Sequence, residues 1–325
     1  MRSQGYRVDC VAQELSIILG VFMMTGHQMK PHWAARAVLW CVIVCVGPVE
    51  LTAGEAKSVE ALLEESQAAY REGRREAAIE LAGEAIRVGP TDVRGYLMRA
   101  YLHEQSKAYA KAISDFDEAI RLMPTRADLY DRRGGARFKL GRIEASIADF
   151  DKAIELDPAR EPEHWQRGIS YYYAGRFEDG WKQFDIHQTV NPNDVENSVW
   201  RFLCMTRAVG VERAREEMLA IRGDRRIPMT EVLALFGGKG TVEEVLAAAG
   251  DPSPARRRQQ LFYAHFYIGL FYEAMGKAGL AREHIERADR EFSVDHYMGD
   301  VARVHAARLK EAAEAKPVQK QKSEK

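Results

Sequence analysis

Small and large apolar residues recur along residues 59–194 with a period of 34 residues. Four registers repeat in phase: Ala78, Ala112, Ser146 and Gly180; Ala82, Phe116, Phe150 and Phe184; Ala85, Ala119, Ala153 and His187; and Pro90, Pro124, Pro158 and Pro192. Proline lacks an amide donor and crowds the preceding turn, so it separates one helical segment from the next. Small residues let two antiparallel helices approach closely. The pattern predicts an all-α chain of helix–turn–helix units that must stack in order to bury their apolar faces.

The chain beyond these registers divides into further helical segments. The predicted units cover residues 59–92, 93–126, 127–160 and 161–194, and a fifth unit followed by a terminal helix covers 262–314. Residues 195–261 show helical patterns at 195–208, 211–221, 229–235 and 242–249 that do not keep the 34-residue phase. They predict two degenerate helical pairs. The alternative is a loosely ordered linker, against which the many large apolar residues argue.

The C-terminal end contains two different kinds of sequence. Residues 295–314 have apolar side chains at helical spacing and predict an amphipathic helix that covers the open end of the stack. Residues 315–325 are rich in lysine and predict a disordered tail.

The 34-residue period resembles the tetratricopeptide (TPR) repeat family. This resemblance implies a right-handed superhelical solenoid of stacked helix–turn–helix units with a C-terminal capping helix. It also implies a surface that holds other polypeptides and is rarely catalytic.

A narrower resemblance concerns the fourth and fifth units. The segments RGI at 167–169, YYYAGR at 171–176, NPND at 191–194 and FYIG at 266–269 are similar to the family of the bacterial lipoprotein NlpI. The resemblance implies a dimeric periplasmic adaptor that is attached to the outer membrane and presents cell-wall endopeptidases to a processing protease. The residues before Cys41 and Cys45 do not form a lipobox, so a soluble exported adaptor fits this chain better.

The first 56 residues have the layout of targeting sequence. Met29 begins a basic segment, an apolar core of eleven residues follows at 37–47, and small residues follow at Ala53 and Ala56. Residues 29–56 are therefore predicted to be a signal peptide, and residues 1–28 an upstream extension. The alternative retains the apolar core as a membrane anchor, although a spanning helix needs about 20 apolar residues. We expect export to the periplasm or cell envelope.

Composition and motifs exclude several classes of function. The 47 basic and 48 acidic residues give a formal net charge of −1, which gives no reason to expect nucleic acid as a partner. Cys204 is the only cysteine beyond the targeting segment, and its apolar neighbours predict a buried, inert thiol. Residues 237–241 (GGKGT) lack the Lys-Ser/Thr step of a phosphate-binding loop, and the nine histidines form no zinc motif. We predict no cofactor, no metal and no catalytic site.

The first helices of successive TPR units line the concave wall of a solenoid, and this wall is the predicted partner-binding site. Its candidate residues are Leu97, Tyr101, Arg132, Phe138, Trp165, Gln166, Tyr172, Tyr173, Tyr263 and Tyr267. Aromatic residues and arginine carry much of the binding energy at protein interfaces. The alternative for each aromatic residue is packing between units. We expect a groove that binds an extended or helical peptide of another exported protein; the alternative is a sensor or assembly factor that binds a small ligand or glycan.

Two sharper hypotheses about the repeats are weaker. The positions of a clamp for a C-terminal carboxylate hold Leu63, Gln67, Leu97 and Tyr101, which lack the required charge. Arginines recur at 99 and 133, and aspartates at 115 and 149. Because a paired charge can be partly buried where an unpaired one cannot, we predict ion pairs within each unit rather than a phosphate or glycan site.

Overall fold

The computed structural model describes residues 57–323 of the 325-residue chain. The predicted upstream extension (1–28) and signal peptide (29–56) lie outside this range. The α-helices of the described range are α1 Val59–Arg71, α2 Arg75–Val88, α3 Val93–Gln105, α4 Tyr109–Leu122, α5 Ala127–Lys139, α6 Ile143–Leu156, α7 Trp165–Tyr173, α8 Phe177–Gln188, α9 Val195–Val209, α10 Val211–Glu216, α11 Met229–Phe236, α12 Val242–Ala248, α13 Pro254–Ala274, α14 Ala278–Arg290 and α15 Tyr297–Ser323. A 3₁₀ helix, Pro158–Glu163, precedes α7.

Helices α1 to α14 pair into seven consecutive hairpins, and no strand occurs in the described range. The predicted all-α stack of helix–turn–helix units is therefore confirmed. Each of the first four hairpins falls within one 34-residue unit of the sequence.

The two helices of a unit cross where the sequence has a small residue. A Cβ atom added to Gly134 on α5 would lie 2.7 Å from Cε1 of Phe150 on α6. The same addition to Gly168 on α7 would lie 2.8 Å from Cζ of Phe184 on α8. Glycine at the crossing therefore makes room for the phenylalanine ring, and larger residues would force the helices apart.

The repeated phenylalanines occupy equivalent places in successive hairpins. Phe116 and Phe150 are fully buried, and Phe184 is 1% exposed. The Phe150 ring also lies 4.6 Å from the ring of His164, which belongs to the next unit. Each ring thus fills its own hairpin and contacts the following one, which couples the units to their neighbours.

The turn inside each hairpin requires a left-handed backbone conformation. Gly73, Gly141 and Gly175 have φ angles of 78°, 72° and 76°. Lys107 occupies the same place in the second unit, with φ 55°. Glycine adopts this conformation readily, whereas a residue with a Cβ atom is strained in it.

Replacement of Lys107 by glycine is therefore expected to raise the free energy of unfolding by about 0.5–1 kcal/mol, the relief of left-handed strain less the chain entropy of glycine. The exposed ion pair between Lys107 Nζ and Asp295 Oδ1, at 3.1 Å, contributes little to oppose this gain. Urea unfolding followed by circular dichroism measures the change. Gly141→Lys is the reciprocal variant and should lower stability. Equal stabilities of Lys107→Gly and wild type would contradict the argument.

The repeated charges form the predicted ion pairs. Arg99 Nη2 lies 2.6 Å from Asp115 Oδ1, and Arg133 Nη2 lies 2.6 Å from Asp149 Oδ1, which confirms the pairing within units. Arg133 Nη1 also lies 2.6 Å from Asp117 Oδ1 in the preceding unit. One arginine therefore ties together two neighbouring hairpins.

The same ladder continues past the proline registers. Arg167 Nη2 lies 2.6 Å from Asp151, and Arg201 Nε lies 2.6 Å from Asp185. Both contacts reach back 16 residues into the previous hairpin. The arginine ladder thus extends into α9, where the proline phase has been lost.

The segment 195–261 is helical at the four predicted places, with one difference. The sequence predicts a helix over 211–221, but α10 ends at Glu216. Arg201 Nη1 donates to the Glu217 carbonyl at 2.8 Å, and Ser198 Oγ donates to the Leu219 carbonyl at 3.2 Å. These carbonyl groups bond to side chains of α9 rather than to a continuing helix.

The fifth predicted unit begins earlier than its apolar pattern indicates. Helix α13 starts at Pro254, eight residues before the predicted start at Phe262. Proline at the first position of a helix loses no backbone hydrogen bond and has its φ angle already set. The Pro254 that reads as a break in the sequence therefore opens the helix.

The terminal helix α15 is longer and reaches further than the sequence predicts. Its backbone stays helical to Ser323, inside the segment predicted as a disordered tail, which agrees with the helix-forming lysine, glutamine and glutamate there. It packs on α14, and it also contacts α5 of the third unit. The helix therefore does more than cover the open end of the stack, because it also lies against first helices of earlier units.

Candidate functional site

Part of the predicted groove is covered by α15. Phe138 is fully buried, and its ring lies 5.6 Å from the rings of both Tyr173 and Tyr297. Tyr173 is 6% exposed and packs on His305 of α15, with ring centroids 5.7 Å apart. In this arrangement Phe138 and Tyr173 bind a helix of their own chain.

Polar contacts hold α15 along this surface. Tyr109 Oη donates to Asp300 Oδ1 at 2.9 Å, and Arg308 Nη2 donates to the Tyr173 carbonyl at 2.9 Å. The Tyr173 hydroxyl lies 2.9 Å from His305 Nδ1. These contacts join residues 132 to 191 positions apart in the sequence.

The other ring nitrogen of His305, Nε2, lies 2.9 Å from Glu273 Oε2 at the end of α13. Burial alone would raise the pKa of Glu273, but His305 and the charges of Arg207 and Arg308 outweigh it and hold that pKa below its ordinary value. Glu273 therefore stays ionised as a partner for α15. The helix is anchored to both the middle and the end of the stack.

Three further candidates lie inside the stack. Tyr267 is fully buried, and its hydroxyl donates to Glu196 Oε1 at 2.5 Å. Tyr172 is 7% exposed and packs on Trp200, while Tyr263 is 8% exposed. The alternative given above, packing between units, describes these residues in the present arrangement.

The open part of the predicted groove lies in the second and third units. Tyr101 is 37% exposed and packs edge-on against Tyr70, with ring centroids 5.5 Å apart. Arg132 lies 2.7 Å from Glu104, and its guanidinium lies 4.9 Å from the centre of the Phe116 ring. A cavity of about 360 Å³ lies beside Tyr101 and Arg132, bordered by residues at the start of α15. We call this surface, Tyr70, Leu97, Tyr101 and Arg132, the open groove.

The remaining candidates are intermediate. Leu97 is half-buried and packs against the buried residues of its own unit. Trp165 and Gln166 are half-buried at the start of α7, and Trp165 packs edge-on against Tyr297 at 4.9 Å. The open groove and Trp165 therefore lie on opposite sides of the start of α15.

Sequence reasoning missed the residues that hold α15. Tyr109, Lys139 and Asp300 become neighbours only through the curvature of the stack, which no local pattern encodes. The one available signal was the apolar spacing of Met298, Val301 and Val304, which predicted the helix but not its place.

Other predicted features concern chemistry. Cys204 is fully buried, and burial raises the pKa of its thiol, so the predicted inert cysteine is confirmed. Within residues 57–323, no cluster of three or more histidine, cysteine, aspartate or glutamate residues is arranged to hold a metal ion. In the same range, none of the helices has the length and apolar character needed to cross a bilayer.

Comparison with known proteins supports the fold. A family model described as a tetratricopeptide repeat matches residues 93–126 and 127–160. No curated protein matches the sequence. A tetratricopeptide repeat protein from Parabacteroides merdae ATCC 43184 has a similar crystal structure, with a TM-score of 0.52 and 15% identity over 75% of this chain and 96% of that chain.

Two other solved structures overlap a smaller part. MamA is 16% identical over 49% of this chain and 86% of that chain, with a TM-score of 0.46. YrrB, a TPR protein with an unusual peptide-binding site, is 14% identical over 61% of this chain and 94% of that chain, with a TM-score of 0.47. Residues 93–160 hold two tetratricopeptide repeats, and residues 57–323 have the all-α fold of a tetratricopeptide-repeat solenoid.

Proposed function

We propose that this protein is an exported, non-catalytic scaffold that binds other polypeptides on the open groove. The TPR fold supports a role in protein binding, because stacked hairpins present an extended surface for a partner chain. The observation that carries the proposal is the exposure of Tyr101 beside Arg132, next to a cavity of about 360 Å³. Tyrosine and arginine are enriched among the residues that dominate binding energy.

The place of action and the partners rest on the sequence. The signal-peptide layout of residues 29–56 supports export to the periplasm or cell envelope. The resemblance to the NlpI family supports envelope proteins as partners, including cell-wall hydrolases and a processing protease, and supports a homodimer. N-terminal sequencing of the mature protein tests export, because a start after Ala53 or Ala56 is expected.

A cavity of about 340 Å³ beside Trp165 favours a second candidate function, the binding of a small ligand or glycan. Its volume falls within the range of small-molecule sites. This function is compatible with a scaffold, since the cavity and the open groove involve different residues.

The double variant Tyr101→Ala/Arg132→Ala tests the scaffold function. We expect affinity capture from the envelope fraction, with site-specific crosslinking at Leu97, to lose its partner bands by at least tenfold, because truncating such residues costs about 1–2 kcal/mol each. The variant should keep the circular dichroism spectrum of the wild type, since Tyr101 is exposed and Arg132 is only partly buried.

The matched control is Arg87→Ala/Val88→Ala, which removes an arginine and an exposed apolar side chain at the end of α2. It should leave capture unchanged. Equal capture by both double variants would contradict the role of the open groove. Turnover of a substrate by the purified chain would contradict the non-catalytic assignment.

A further inference from the structure

The cavity beside Trp165 has aromatic walls. It lies between α7, α8, α9 and the start of α15, and it is closed on one side by α13. Four of its lining residues are Trp165, Trp200, Tyr263 and Tyr297. The face of an aromatic ring is negative and attracts cations, most strongly when the site is shielded from water.

The same cavity is lined by acidic residues, and none of the described residues that line it is lysine or arginine. Asp194 and Glu196 belong to its wall, and Asp224 lies behind them. All three carboxylates converge on Arg226, which lies 2.6 Å from Asp224 Oδ2 and also pairs with Asp194 and Glu196. One guanidinium therefore faces three carboxylates, and this wall carries an excess of negative charge.

Glu196 shows the consequence of that excess. Its carboxylate is buried, and burial raises its pKa despite the opposing charge of Arg226 and the hydrogen bond from Tyr267. The negative charge of Asp194 acts in the same direction. A further positive charge in the cavity would stabilise the ionised form of Glu196.

Asn197 adds an acceptor to the wall. It is 3% exposed, and its Nδ2 donates to Gln188 Oε1 at 2.6 Å and to the Phe184 carbonyl at 3.3 Å. These donations orient the amide, and they leave its Oδ1 buried without a hydrogen-bond partner among residues 57–323. A buried acceptor without a partner costs about 1–3 kcal/mol, so this atom favours a ligand with an N–H donor.

A neighbouring side chain offers the opposite group. The indole Nε1 of Trp200 is also buried without a partner in the described range, and it can only donate. A ligand that carries both N–H donors and a carbonyl group would satisfy Asn197 and Trp200 together. An amino-acid residue with a cationic side chain has both.

We propose that this cavity binds the guanidinium or ammonium group of an arginine or lysine side chain in a bound polypeptide. The aromatic walls, the excess of carboxylates and the Asn197 acceptor all favour a cation with N–H donors over an anion or an apolar group. The volume of about 340 Å³ accommodates such a side chain. The polypeptide source rests on the scaffold function proposed above, whereas the cation site itself does not.

Isothermal titration calorimetry of the mature chain tests the site with small probes. N-acetyl-arginine amide and N-acetyl-lysine amide should bind at least tenfold more tightly than N-acetyl-citrulline amide, which has nearly the shape of the arginine probe without its charge. Agmatine carries the guanidinium without the carbonyl group, so weaker binding of agmatine supports an amino-acid residue as the source. Equal binding of agmatine would overturn that source and keep a free amine.

Variants locate the binding and separate charge from folding. Glu196→Gln and Asp194→Asn keep shape, and asparagine still caps α9, so they should fold and weaken the cationic probes at least tenfold. Trp165→Leu should weaken them as well, through loss of a ring. The control Glu178→Gln removes an exposed carboxylate of α8 outside the cavity and should change nothing.

Several outcomes would overturn the cation site. Equal affinities for the arginine and citrulline probes would do so, as would no heat with any probe. Binding of N-acetylglucosamine that survives Glu196→Gln would assign a saccharide instead. None of these results depends on Tyr101 or Arg132, so the scaffold function would stand or fall separately by its own capture experiment.

Discussion

Replacement of Phe150 by alanine is expected to lower the free energy of unfolding by about 3–5 kcal/mol, the usual cost of emptying a fully buried aromatic site. The Phe150 ring is fully buried between the backbone of Gly134 and the ring of His164, so its loss opens a cavity within one hairpin and at the junction with the next. Glycine at 134 has no side chain with which to fill that space. Urea unfolding followed by circular dichroism measures the loss.

The register argument makes this prediction stricter. Phe116→Ala and Phe184→Ala remove rings at the same place in adjacent hairpins and should show losses of similar size. Leu140→Ala is the control, because Leu140 lies in the same unit as Phe150 and is 39% exposed, so its loss should stay within about 0.5 kcal/mol. A cost for Phe150→Ala no larger than that of Leu140→Ala would refute the packing role of the repeated phenylalanine.

The sequence predicts the hairpins well because each one is defined by residues close in the chain. Gly134 and Phe150 are 16 residues apart, as are Arg133 and Asp149, and both contacts repeat at the period of 34 residues. A contact that recurs in several units leaves the same residue types in phase. Such a pattern can be read without knowing how the units are arranged in space.

The path of α15 could not be predicted in the same way. Its contacts with Tyr109 and Tyr173 occur once and join residues 191 and 132 positions apart. They depend on the accumulated rotation of seven hairpins, which no single residue determines. The apolar stripe of α15 shows that the helix needs a surface, and the aromatic residues of the first helices show that a surface exists, but the sequence does not show that one binds the other.

The candidate site divides along the same line. Tyr101 and Arg132 are exposed or half-buried where the pattern of first-helix positions predicts a wall. Phe138 and Tyr173 occupy equivalent predicted positions, yet α15 covers them. Aromatic residues that bind a partner and aromatic residues that bind a helix of the same chain have the same local signature, because both need a large apolar surface next to polar groups.

Replacement of Ala302 by aspartate is expected to release α15 from the stack while the hairpins stay folded. Ala302 is fully buried in the apolar cluster beneath the helix, and an unpaired carboxylate there costs several kcal/mol. Undocking returns the charge to water and breaks only the contacts of one helix. Hydrogen exchange should show amide protection falling by at least about 100-fold over residues 298–309, with protection in α3 to α8 retained.

Ala307→Asp is the matched control, because it makes the same substitution on an exposed position of the same helix and should leave protection unchanged. Release of α15 would also uncover Phe138 and Tyr173, so under the proposed scaffold function Ala302→Asp should bind partners at least as well as the wild type. If Ala302→Asp instead lowered protection throughout α3 to α8, α15 would be an integral part of the folded core. A helix that undocks alone is one that a partner helix of similar pattern could replace, since both would use the same apolar stripe and the same anchors at Tyr109, Tyr173 and Glu273.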